Sequence, residues 1–242
     1  MAFYYNVAHL VKLLIFLNII FEGEAQNVLE AFDVPIKFSG SDFYFISEKS
    51  NTNENGKVDI KLYYESLCPD CIEFYKNEFR ETVEKLSQYL NIHTYPYGNA
   101  KTIITNEKIT FKCQHGPAEC YGNKLHACTI DHLRNITKSV LFNDCMMDKN
   151  NGGSDDTAAD KCALLMNVDS RPIKECAKGS RGTKLLQYYG EESKKVGFDF
   201  VPYILINDQL AEADNFMKNV CSAFKVLPPP CVDFLKPYKL IN

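Results

Sequence analysis

The chain has 242 residues, 45% of them hydrophobic, enough to bury one elaborated core without requiring two independent domains. Its formal net charge of -4 and its scattered basic residues argue against a nucleic-acid surface or a polybasic membrane patch, which leaves proteins as the expected partners. Ten cysteines, an even number, predict an oxidising compartment in which eight of them form four structural disulfides.

In chain order, Met1 to about Ala25 reads as a signal peptide. Lys12 precedes the apolar run Leu13 to Phe21, and Gly23-Glu24-Ala25 places small residues at a cleavage site. The run is shorter than the roughly 20 residues of a spanning helix, and no later stretch is long enough, so the mature protein is expected to be free of the membrane. Residues 26–57 form an N-terminal extension. Ala31 to Ile46 is moderately apolar, either an edge strand or a removable pro-segment, and Lys49 to Lys57 is a polar, turn-rich linker.

Val58, Ile60, Leu62 and Tyr64 then alternate at strand spacing, and Ile72, Tyr75, Phe79, Val83, Leu86 and Leu90 recur at helical spacing. Between them lies Cys68-Pro69-Asp70-Cys71, at the switch from one period to the other. Pro69 suits a first helical turn, which makes Cys68 the N-cap. Its sulfur sits beside unpaired N–H groups and the positive end of the helix dipole, which favour the thiolate. Cys71 lies one turn deeper, so the first sulfur is expected to be exposed and activated and the second shielded, as attack and intramolecular resolution require. A zinc site needs a second Cys-x-x-Cys or a His pair, and there is none, so no metal and no bound cofactor are expected.

A second strand around Asn91 to Tyr97 makes a parallel strand-helix-strand unit. A turn follows at Gly98 to Ala100, then a short strand from Lys108 to Cys113. From about 117 to 196 come helices over Glu119 to Asn135, Ser139 to Met147, Thr157 to Leu165, Pro172 to Lys178 and Thr183 to Lys195. Cys120, Cys128, Cys145, Cys162 and Cys176 fall among them and are expected to tie the helices together in place of a large core. Phe198 to Asp208 returns as a strand. Pro202 within it makes sense if its peptide bond is cis and its loop lies beside the dithiol. Ala211 to Phe224 reads as a closing helix, Pro228-Pro229-Pro230 as the end of regular structure before a C-terminal tail at 226–242, and Cys231 as near enough to pair with Cys221. Asn135-Ile136-Thr137 is a glycosylation sequon.

Cys113-Gln114-His115-Gly116-Pro117-Ala118-Glu119-Cys120-Tyr121-Gly122-Asn123-Lys124-Leu125-His126-Ala127-Cys128 matches the C-Q-H-G-x2-E-C-x2-N-x4-C signature of the gamma-interferon-inducible lysosomal thiol reductase (GILT) family, with eight fixed positions: Cys113, Gln114, His115, Gly116, Glu119, Cys120, Asn123 and Cys128. The resemblance extends over about Val58 to Cys231. It implies a thioredoxin-like α/β fold over 58–225 with a disulfide-rich helical insertion, and reduction of disulfides in protein substrates at acidic pH. Carried residue by residue, it makes Cys68 the attacking cysteine, Cys71 the resolving one and Pro202 the cis-proline, with an external thiol as electron donor. Secretion or lysosomal delivery follows from the leader.

Within the signature, His115, Glu119 and Asn123 are read as structural, capping the first inserted helix, in preference to a proton relay to Cys71. His126 and His132 are read as surface histidines, and Tyr63, Tyr64, Tyr75 and Phe79 as mostly core. Asp70 opposes the helix dipole at the dithiol. Two other functions use the same residues: a secretory-pathway oxidase or isomerase, against which the C-terminal Lys239-Leu240-Ile241-Asn242 counts because it is not an ER-retention signal, and a secreted binding protein with an inert disulfide.

Overall fold

The computed structural model describes residues 56–151 and 153–239. The signal peptide and the extension up to residue 55 lie outside them. In order, the elements are β1 (Val58–Tyr64), α1 (Pro69–Phe74), a π-helical turn (Tyr75–Phe79), α2 (Arg80–Leu86), β2 (Leu90–Pro96), β3 (Lys101–Thr105) and β4 (Lys108–Lys112). There follow α3 (Pro117–Leu133), α4 (Ile136–Met147), α5 (Asp156–Met166), α6 (Arg171–Lys178), α7 (Ser180–Val196), β5 (Tyr203–Ile206), β6 (Gln209–Leu210), α8 (Phe216–Ser222) and α9 (Pro229–Lys239).

The main sheet has the order β2-β1-β5-β6. β1 runs parallel to β2, Val58 opposite Leu90 and Tyr64 opposite Pro96, and antiparallel to β5, Ile60 opposite Ile206. β1 is therefore central, which is why so much of it is buried. Val58, Ile60, Leu62 and Tyr64 face Phe74, Tyr75, Phe79, Val83 and Leu86 of the following helix, with Phe216 and Val220 of α8 completing the core. On the opposite face Tyr63 stacks on Tyr95 with centroids 4.4 Å apart, and Phe198 and Tyr203 continue the aromatic layer.

The helix after Cys68 departs from regular α geometry. Phe74 and Tyr75 are adjacent and both buried. Their positions, three and four residues after Cys71, put both on the core-facing stripe of the helix, and the π turn, Tyr75–Phe79, begins at the second of them.

Several sequence expectations are corrected. The strand expected from Lys108 is β4; β3, its hairpin partner, is an addition to the expected elements, because it is mostly exposed and lacks apolar alternation. Their connection, Asn106 and Glu107, has φ of 47° and 63°, the left-handed pair of a tight hairpin turn. The strand expected over Phe198 to Asp208 is confined to Tyr203–Ile206, and the helix expected from Ala211 begins only at Phe216. The Pro228-Pro229-Pro230 run opens α9 instead of ending regular structure, since proline is tolerated in a first turn, and Phe234 and Leu235 of this supposed tail pack on the main core. The inserted helices do have a core of their own, with Leu125, Phe142, Met146 and Ile173 fully buried. Disulfides Cys128–Cys176 and Cys145–Cys162 clamp it, while Cys113–Cys120 closes the entry to α3 and Cys221–Cys231 joins α8 to α9.

Candidate active site

β1 ends at Tyr64, the chain turns through Ser66 and Leu67, and α1 starts at Pro69 with Cys68 as its N-cap. No side chain caps that helix end, so the free N–H groups face the Cys68 sulfur. Cys68 and Cys71 are the free cysteines among the described residues. The Cys68 thiol is held down, to about 6: the Cys71 thiol donates to it and the backbone N–H groups of Cys71 and Asp70 add to that, against burial and the Asp70 charge. Burial pushes Cys71 well above the ordinary thiol range, and a hydrogen bond to the Cys68 sulfur favours its protonated form further. One dithiol thus carries a ready thiolate and a retained proton.

The expectation of an exposed first sulfur is corrected. Cys68 is only 7% exposed and Cys71 fully buried. What closes over Cys68 is the loop before β5, whose Val201 carbonyl lies 4.0 Å from the sulfur. The Val201-Pro202 bond is cis and the loop sits beside the dithiol, as expected.

The signature residues gather on the turn between β1 and α1. Asn123 Oδ1 accepts from the Ser66 N–H at 2.8 Å, and the Ser66 hydroxyl donates to the Glu119 carbonyl at 3.4 Å. Gly122 is required by this approach, since a Cβ there would lie 2.4 Å from the Ser66 hydroxyl. Glu119 Oε1 accepts from the His115 backbone N–H, which bonds the backbone ahead of α3, while Gly116 is the N-cap and no side chain caps the helix, so the expected cap is corrected to a contact one residue upstream. Gln114, exposed, accepts from Asn99 at 3.3 Å. Cys113, Cys120 and Cys128 are consumed by disulfides and hold the signature in place.

Glu65 was missed. It is fully buried, its Oε1 accepting from the Asn99 N–H at 2.6 Å and its Oε2 lying 3.3 Å from His115 Nδ1 without a hydrogen-bond donor. Burial raises its carboxyl, to about 7, with the Glu119 and Cys68 charges adding to the effect and the Asn99 and His115 contacts opposing it. His115 Nδ1 also bonds Glu119 Oε2 at 2.5 Å. Partial burial works against the imidazolium, but Glu119 and Glu65 outweigh it and raise its pKa. Ligand atoms of Glu65, His115 and Glu119 lie within 4.8 Å of one another. A separation of 2.5 Å between two of them is a hydrogen bond, too short for two ligands held about 2 Å from one zinc ion. The sequence signal was a lone carboxylate between a buried strand and a Cys-x-x-Cys.

His126 overturns the surface reading. It is fully buried, with Nδ1 2.9 Å from the Tyr64 hydroxyl and Nε2 3.0 Å from Ser154 Oγ, and burial pushes its pKa down to about 3. α3 carries it across to the sheet, where helical periodicity alone could not place it. Asn135 is exposed and caps α4 through the Lys138 N–H.

Comparison with known proteins agrees with this geometry. Residues 59–166 match the family described as gamma interferon inducible lysosomal thiol reductase (GILT). The chain is 35% identical over 190 residues to a gamma-interferon-inducible lysosomal thiol reductase of Carassius auratus, covering 74% of each. It is 33% identical over 173 residues to GILT-like protein 1 of Drosophila melanogaster, covering 66% of this chain and 69% of that one. Among solved structures, BdbD of Bacillus subtilis superposes with TM-score 0.53 at 11% identity, covering 72% of this chain and 91% of its own. DsbA of Mycobacterium tuberculosis gives 0.52 at 16%, covering 73% and 86%. At such identities the likeness concerns the fold alone, which is thioredoxin-like. From the family match over residues 59–166 and relatives 30–35% identical over most of the chain, together with the thioredoxin-like fold, the chain belongs to the gamma-interferon-inducible lysosomal thiol reductase family and is a thiol-disulfide oxidoreductase.

Proposed function

We propose that this protein reduces disulfide bonds in protein substrates through Cys68 and Cys71, at acidic pH, and is reset by an external thiol. The observation that carries the reading is the opposite displacement of the two thiols, Cys68 downward and Cys71 upward. The Cys68 thiolate attacks one substrate sulfur, the substrate disulfide breaks, and the second substrate sulfur leaves as a thiolate and is protonated. Cys71 then loses its proton, attacks Cys68 and expels the first substrate sulfur, leaving a Cys68–Cys71 disulfide. Val201 and Pro202 line the approach to the Cys68 sulfur and are the contact surface for an extended substrate segment.

Acid operation follows from thiolate supply. With a pKa of about 6, roughly 9% of Cys68 is thiolate at pH 5, against roughly 0.03% for an ordinary cysteine. The weaker nucleophilicity of a less basic thiolate returns part of the gain, leaving about twentyfold. The apolar leader and the relatives' names support delivery to a lysosome or secretion, with a glycan on Asn135.

Cys71→Ser is expected to trap substrate on Cys68 as a stable mixed disulfide. Trapping through Cys71 in Cys68→Ser instead would reverse the roles. A second reading, an oxidase or isomerase, has one observation in its favour: a low Cys68 pKa stabilises the reduced dithiol and makes the disulfide more oxidising. The reduction potential of the pair against glutathione separates the two.

A further inference from the structure

The hydroxyl of Ser154 reaches from the loop before α5 to the carbonyl of Ser66, 3.4 Å away and two residues before Cys68. Ser66 is thereby held on both sides, because its N–H is bonded to Asn123 Oδ1 at 2.8 Å. A carbonyl oxygen only accepts, so the Ser154 hydroxyl donates to it, and its own oxygen is left to accept from His126 Nε2 at 3.0 Å. That fixes the imidazole as the neutral tautomer with its proton on Nε2. Nδ1 then accepts from the Tyr64 hydroxyl at 2.9 Å, whose oxygen in turn accepts from Asn143 Nδ2 at 3.3 Å. Each bond from Asn143 through Tyr64, His126 and Ser154 to Ser66 runs in one direction, and all five residues are buried.

We propose that Ser154 and His126 are positioning residues for thiol attack: they hold the Ser66 carbonyl, and with it the turn that sets the Cys68 sulfur against the N-terminus of α1. This role rests on the dithiol reading above and gives the inserted helices, which supply both residues, a part in it.

Ser154 has φ of 59°, in the left-handed region that favours glycine, and Gly153 beside it has φ of 79°. Glycine at 154 would be free of the strain but would have no hydroxyl to join His126 to Ser66. The Ser154 N–H donates to the Met146 carbonyl at 2.7 Å, which ties the loop to α4 while the hydroxyl reaches the turn. Room for the contact is kept by Gly122 of α3, where an added Cβ would stand 2.4 Å from Ser66 Oγ and 3.0 Å from Ser154 Cβ. His126 falls between the fixed positions of the signature and Ser154 lies beyond it, so neither is part of that pattern.

The N-terminus of α1 has no side-chain cap, and its free N–H groups favour the Cys68 thiolate only while the sulfur stays within their reach. The titratable groups facing Cys68 are Cys71 and Asp70 on α1, Glu65 on the turn and His115 ahead of α3. Ser154 has no charge and His126 is bonded as the neutral ring, so removing either leaves those charges as they are and moves only the sulfur's position.

The test is iodoacetamide alkylation of the reduced native protein and of Ser154→Gly, Ser154→Ala, His126→Leu and His126→Gln across pH 4–9, with stabilities from urea unfolding. The native rate is expected to titrate near 6. Ser154→Gly and Ser154→Ala should both move the midpoint up by about one unit, which lowers the thiolate fraction at pH 5 about tenfold. The two differ in stability, since glycine relieves the left-handed strain and alanine does not. An equal shift in both therefore reports the lost hydroxyl and not a loosened fold. His126→Leu should shift likewise, whereas His126→Gln, whose amide can donate where Nε2 stood, should stay within about threefold of the native rate at pH 5. A midpoint in Ser154→Gly unchanged from the native protein would overturn the proposal, and that variant decides the matter should His126→Leu not fold. A midpoint at or above 8 in the native protein would instead remove the thiolate reading beneath it.

Discussion

At the scale of residues, the site is made by short polar contacts onto one turn. Asn123 is fully buried and its Oδ1 satisfies the Ser66 N–H two residues before Cys68. Asn123→Ala leaves that N–H buried and unpaired, and the expected loss is about 1–3 kcal/mol of stability, measured by denaturant unfolding; a change under about 0.5 kcal/mol would show that water takes over the bond. Cys68 carries a second prediction. Its alkylation rate is expected to titrate with an apparent pKa of about 6, while Cys71 stays unreactive in the folded protein. A midpoint at or above 8 would contradict the thiolate argument and the acid reading with it. Glu65 escaped the sequence reading because its contacts come from Asn99 and His115, 34 and 50 positions away, where no local pattern reaches.

At the scale of elements, the helices depend on covalent clamps of unequal reach. Cys128–Cys176 spans 48 residues, Cys145–Cys162 spans 17, Cys221–Cys231 spans 10 and Cys113–Cys120 spans 7. Loop-closure entropy ranks their contributions in that order, from about 4 kcal/mol for the longest to about 2 kcal/mol for the shortest. Paired Cys→Ala variants are expected to lose stability in this order while Cys68 keeps its alkylation rate. A Cys113/Cys120 variant less stable than the Cys128/Cys176 one would show that native packing, not chain entropy, sets the cost. Element types were largely legible from periodicity. The exceptions were those that a neighbour decides: the exposed strand β3, the π turn, and α9, whose apolar face is defined by the core it covers.

For the whole molecule, the buried ionisable groups set the pH dependence of stability. Burial raises Glu65 to about 7 and Asp144, despite Arg80, to about 6. Raised carboxyls contribute stability that is complete below their unfolded values near 4 and lost as pH rises through 6 to 7. His126, pushed down to about 3, acts in the other sense: its contribution is present above about 6.5 and lost as pH falls. From pH 7 to 5 the two carboxyls gain roughly 1–2 kcal/mol each and the imidazole loses about 2. Stability of the oxidised protein is therefore expected to hold or rise slightly over that interval. It should fall below pH 4, where the paired Asp156, Asp160 and Asp169, all held below the usual carboxylate range, are protonated in turn. Urea midpoints across pH 3–8 check this, and a loss above about 2 kcal/mol between pH 7 and 5 would sink it.

The sequence by itself determined the dithiol, the strand before it, the helix after it, and the signature that names the family, because each is written in contiguous residues whose periodicity and spacing are local. Tertiary structure alone decided how the cysteines from Cys113 to Cys176 pair, that Val201 covers the Cys68 sulfur, that His126 is buried against Tyr64, and that Glu65, His115 and Glu119 meet. Those outcomes depend on the burial of groups far apart in the chain, and burial is a property of the packed molecule: a carboxyl or an imidazole has its ordinary chemistry until the rest of the fold removes its water.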